Sequence, residues 1–112
     1  MSPGTDINLK DGMPPVAQAI DHLKFSVERA RRQGYKCAVI IHGYGSTGKG
    51  GIICSKARQW LSAQERNGKL NAVIPGEEFT LFNTKALTQK NRYSELKNLL
   101  DAYNHGITII EL

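Results

Sequence analysis

The residues best equipped for chemistry form one run, His42-Gly43-Tyr44-Gly45-Ser46-Thr47-Gly48-Lys49-Gly50-Gly51. It follows the apolar stretch Cys37-Ala38-Val39-Ile40-Ile41 and leads into an amphipathic one, so it reads as a glycine-rich turn between a buried strand and the start of a helix. Such a turn gathers unpaired backbone N–H groups at the positive end of a helix dipole, the arrangement that holds an anion. Gly43, Gly45 and Gly48 let a ligand approach the backbone, Ser46 and Thr47 add hydroxyl donors, and Lys49, Lys56 and Arg58 add positive charge. Tyr44 offers a ring for stacking on an unpaired base or for packing on the turn. The plain alternative is a flexible turn that holds nothing.

Two nucleotide motifs are near misses here. Gly43 to Lys49 matches the front of a Walker A loop, but Gly50 stands where the Mg²⁺-binding Ser or Thr belongs. Gly43-x-Gly45-x-x-Gly48 matches a dinucleotide fingerprint, but the next strand ends at Ile74-Pro75 and not on an acidic residue. Neither nucleotide hydrolysis nor a full dinucleotide fold is expected. A small protein that binds a mononucleotide or phosphate metabolite is a further alternative.

His42 is the natural candidate for proton transfer, with Asp11 as a carboxylate partner and Lys10 or Lys49 to stabilise charge. An equally good reading makes His42 a strand-end residue whose ring bonds a loop carbonyl and holds the turn. His22 and His105 are weaker candidates, His105 because it leads into the last strand. Without C-x-x-C, H-E-x-x-H or clustered carboxylates, the sequence calls for no built-in metal and no cofactor, and it leaves a Mg²⁺ requirement undecided. Cys37 and Cys54 read as buried thiols.

The elements that must position these residues follow from periodicity. Asp6 to Leu9 alternates as a short strand, and residues 1–5, small and polar, are expected to be loose. Pro14-Pro15 precedes a helix whose buried stripe is Val16, Ile20, Leu23, Val27 and Ala30, ended by Gly34. A second helix is expected from Gly51 to Gln64, a third strand over Leu70–Ile74, and a fourth over Ile107–Leu112. Residues 77–105 are expected to hold a short helix near Thr84–Gln89 and a better one over Tyr93–Tyr103, with Leu96, Leu99, Leu100 and Tyr103 facing the core.

One domain over residues 1–112 suits this length, and 40% hydrophobic with 22% charged residues is ordinary globular usage. No run is long and apolar enough to span a membrane and no secretory signal is visible, so a cytoplasmic location is expected. The net charge of +5 suits a polyanionic partner without requiring one.

Ile40-Ile41-His42-Gly43-Tyr44-Gly45-Ser46-Thr47-Gly48 resembles the I-I-H-G-x-G-[ST]-x-G signature of the Smr (Small MutS-Related) family. Ile7-Asn8-Leu9-Lys10-Asp11-Gly12 resembles the family's L-D-L-H-G segment, and Gly106-Ile107-Thr108-Ile109-Ile110-Glu111-Leu112 its closing strand. The resemblance implies a free-standing bacterial Smr-like domain: an α/β two-layer sandwich, β-α-β-α-β-(α)-β, with a mixed four-stranded sheet. Such a fold is similar to the C-terminal domain of translation initiation factor three, and residues 77–105 then form an insertion. It also implies DNA or RNA as partner, no membrane role, and endonuclease activity in several members, with a non-catalytic adaptor as the alternative. His42, Gly43 and Gly45 carry over, with Ser46 or Thr47. The family's Asp and His in the first segment are replaced by Asn8 and Lys10, so whether the chain cleaves stays open.

Overall fold

The computed structural model describes residues 3–44 and 49–112, with the backbone alone at 49 and 50. The element order is β1 (Gly4–Asn8), α1 (Val16–Arg32), β2 (Cys37–Ile41), α2 (Lys49–Arg66), β3 (Ala72–Pro75), α3 (Thr84–Arg92) and β4 (Ile107–Glu111). Short 3₁₀ turns at Gly76–Glu78 and Ser94–Leu99 flank α3. The four strands form one mixed sheet in the order β1-β2-β4-β3. β1 runs parallel to β2, which requires the crossover that α1 supplies. β4 is antiparallel to both of its neighbours.

The helices α1 and α2 pack on one face of this sheet, as the two-layer expectation requires. Leu23 and Val27 of α1 and Ile53, Ala57 and Leu61 of α2 meet Ile7, Ala38, Ile40, Val73 and Ile110 there. Strand alternation sends Cys37, Val39, Ile41, Ile74, Ile107 and Ile109 to the opposite face. Residues of the 77–105 stretch, among them Phe79, Ala86, Leu96 and Leu99, cover that face. This explains why Cys37 to Ile41 is apolar without interruption: it is covered on both sides.

Several boundaries differ from those the sequence suggests. β1 starts at Gly4, inside the stretch expected to be loose, because Pro3 O accepts from both Lys36 N and Cys37 N. α2 is longer at both ends than expected and closes with Lys69 N bonded to Gln64 O and Gly68 N to Glu65 O, a Schellman arrangement. Leu70 N also bonds Gln64 O, so β3 begins only at Ala72. β3 is an edge strand, which tolerates Pro75. Its outer edge is shielded by side chains: Val73 N donates to Glu65 Oε2 at 3.1 Å, and Lys85 Nζ reaches the same oxygen at 2.7 Å.

The helix expected over Tyr93–Tyr103 is not formed. Only a 3₁₀ turn exists at Ser94–Leu99, after which Leu100 is extended and Asp101 and Tyr103 adopt positive φ. Asp101 is drawn away from helical geometry because its N–H donates to Phe79 O at 2.8 Å while its carboxylate accepts from Leu81 N. Leu96 is buried as expected, but Tyr103 is 57% exposed. Among the described residues, no helix is long and apolar enough to cross a membrane.

Candidate functional site

The topology brings four chain segments to one edge of the sheet. β1 and β2 are parallel and both end there, at Asn8 and Ile41. β4 is antiparallel to β2, so its start at Ile107 lies beside Ile41, and β3 ends at the same edge with Pro75 opposite Thr108. Lys10, His42-Gly43-Tyr44, Gly76-Glu77 and His105-Gly106 all belong to the connections at this edge, next to the start of α2.

His42 sits beneath this edge with 0% exposure. Its Nδ1 is 2.7 Å from Gly43 O, so that nitrogen carries hydrogen and donates. Its Nε2 is 2.8 Å from Thr108 Oγ1, and Arg58 Nε donates to the same hydroxyl at 3.1 Å. The directions then run one way: Arg58 donates to Thr108, Thr108 to His42, and His42 to Gly43 O. A neutral imidazole with its proton on Nδ1 fits this arrangement. Burial pushes the His42 pKa below its ordinary value, the Gly43 bond opposes that, and the Arg58 charge adds to the lowering.

Arg58 is the hub of the same network. Its two terminal nitrogens donate to the Glu77 carboxylate at 2.8 and 2.6 Å, a bidentate pair, and one also reaches Ile107 O at 3.0 Å. Burial alone would raise the Glu77 carboxyl, but hydrogen bonds from Arg58 and the nearby charges hold it below the usual carboxylate range. Gly76, next to Glu77, packs tightly on the backbone leading into β4: a Cβ there would lie 2.1 Å from Asn104 O.

The backbone of the turn is tied to β4, since His42 N and Gly43 N both donate to Gly106 O, at 3.1 and 3.0 Å. Gly43 has φ +73, a conformation that disfavours any side chain, and Lys10 Cδ lies 3.5 Å from where its Cβ would be. Tyr44 is 60% exposed, and its ring centroid is 5.0 Å from that of His105. Glu77 Oε2 lies 3.4 Å from His105 Nδ1.

The structure therefore brings Lys10, His42, Gly43, Tyr44 and Arg58 together, with Arg58 turned inward to Glu77. Lys56 is exposed on α2. Asn8 does not face the site as a base: its Oδ1 accepts from Lys10 N and Asp11 N and holds the turn. Asp11 is exposed and borders a shallow depression with Asn8, Pro14, Gln18 and His22, at the start of α1. Gly45, Ser46, Thr47 and Gly48 lie outside the described residues, as does the Lys49 side chain. Cys37 and Cys54 are both buried and free, and burial with the nearby Glu95 and Glu111 charges pushes the Cys37 thiol up to about 11. Glu77 and Thr108 were not singled out from the sequence, because nothing local to either links it to His42.

A match to the Smr domain runs over residues 11–77, more than half of the chain. The chain belongs to the Smr family. Smr domains are associated with nucleic-acid binding and nuclease activity, and the matched stretch contains α1, β2, α2 and β3 of this member. No curated protein and no solved structure matches the chain. In this Smr domain β4 and the covering segment lie beyond the match, yet they supply Thr108, His105 and the carbonyl of Gly106 to the site.

Proposed function

We propose that this Smr domain binds the sugar–phosphate backbone of DNA or RNA at the strand-end edge, with a phosphate at residues 43–49 and Lys10 and Lys56 neutralising its neighbours. The observation that carries the reading is the convergence of Lys10, Gly43, Tyr44 and His105 beside the start of α2. A helix start and a glycine-rich turn favour an anion, and the exposed Tyr44 ring adds a stacking surface for an unpaired base. In this reading His42 shapes the turn from below, because both of its ring nitrogens are engaged.

The test is anisotropy with labelled single-stranded, duplex and branched DNA and RNA between about 50 and about 200 mM salt. Affinity should fall as salt rises, and Lys10→Ala and Lys56→Ala should each reduce the slope of log K against log salt by roughly 1. Added ATP should not compete. A salt slope unchanged in both variants would move the interface elsewhere.

A further inference from the structure

Proton transfer at a phosphodiester needs an imidazole that can reach solvent and substrate, and His42 does neither. His105 does both. Its side chain is 51% exposed at the same edge, and its ring lies against Tyr44. Its backbone is fixed: the Asn104 side chain accepts from Gly106 N at 2.8 Å, and His105 O receives a bond from Arg58 at 3.3 Å.

The ring is oriented as well as exposed. Glu77 Oε2 faces His105 Nδ1 at 3.4 Å, and Glu77 is itself clamped by two bonds from Arg58. A carboxylate on Nδ1 fixes the proton there and leaves Nε2, on the far side of the ring, free to act as a base. The 3.4 Å separation is loose for a hydrogen bond, as such contacts commonly are before substrate binds. Gly43 separates His105 from Lys10: Gly106 packs on its backbone from the β4 end and Lys10 from the β1 end.

We propose that His105 is the catalytic base of a phosphodiester hydrolysis at this edge, with Glu77 as its orienting carboxylate and Arg58 as the positioning residue for Glu77. The assignment rests on the nucleic-acid reading above. Nε2 of His105 removes a proton from water, whose oxygen forms the new bond to phosphorus. The bond from phosphorus to the leaving sugar oxygen breaks, and that oxygen takes a proton from solvent, to which the imidazolium returns one. Lys10, beside Gly43, balances the charge on the phosphate.

The experiment measures binding and cleavage side by side on the same labelled single-stranded, duplex and branched oligonucleotides, with Mg²⁺ and with EDTA, for the wild type, His105→Ala and Glu77→Gln. His105→Ala should cut about 100-fold or more slowly at saturating nucleic acid, where weaker binding does not enter the rate. Imidazole added to the buffer should restore part of the lost rate in His105→Ala and none in Glu77→Gln, which keeps its ring. Wild-type binding without cleavage of any substrate overturns the catalytic assignment and leaves the binding reading standing, as does cleavage by His105→Ala at the wild-type rate. Absence of wild-type binding overturns both.

Discussion

The position of His42 makes a prediction in which sign and size can both be worked out. Burial lowers the pKa of this imidazole in the folded protein, whereas in the unfolded chain it protonates near its ordinary value of 6.5. As the pH falls through that value the unfolded state takes up more of this proton than the folded state, so stability falls as pH falls. For a ring that stays neutral when folded, lowering the pH from 7.5 to 5.5 costs at most about 1.4 kcal/mol. In a chain of 112 residues this corresponds to roughly 6 °C in Tm. Glu77 and Glu111 are held below the usual carboxylate range, so their contribution is lost at more acid pH, under the ordinary value of 4.5. Urea unfolding at the two pH values, in a background carrying His22→Gln and His105→Gln, isolates the effect. The ring signals of His42, followed by NMR through the same range, supply the direct check. A His42 signal that titrates at about 6.5, with a flat stability profile, would refute the neutral, locked imidazole.

Two further outcomes follow from the same network. Arg58→Ala leaves the Glu77 carboxylate, Thr108 and the Ile107 carbonyl without their donor, and should cost about 3 kcal/mol, read as a thermal shift of roughly 12 °C. Arg58→Lys should recover little, since one ammonium cannot replace a planar fork. Gly76→Ala forces a methyl group to within 2.1 Å of the Asn104 carbonyl and should destabilise by about 3 kcal/mol, measured by circular dichroism melting.

The sequence made the regular elements legible where one physical signal dominated. The stripe of Leu23, Val27 and Ala30 marks α1, and the unbroken Cys37 to Ile41 run marks a doubly covered strand. It misled over Tyr93–Tyr103, whose leucines have helical spacing but whose backbone is captured by Phe79 through Asp101. The glycine-rich turn was visible as a candidate site, and the holding role of His42 was one of two readings its type allowed. Glu77, Thr108 and the partnering of Arg58 were not visible, because they depend on β4 lying between β2 and β3, a placement that no local pattern encodes. His105 stood out only as a lead-in to the last strand. Its pairing with Glu77 joins residues 28 positions apart in the chain, 105 less 77.

The strand order has a consequence for synthesis. β4 is paired on both sides, yet among the described strands it comes last in chain order. A nascent chain can join β1 to β2 across α1 as soon as both have emerged, but β3 has no neighbour in the sheet until residues 107–111 arrive. Until then Ile74 and Ile41 have no Ile107 or Ile109 between them, and His42 lacks the Thr108 hydroxyl. A chain stopped short of β4 would expose apolar strand faces to chaperones and proteases, and would leave His42 without its Thr108 partner. Joining β3 to the sheet and supplying Thr108 to His42 both wait on the same five residues, 107–111.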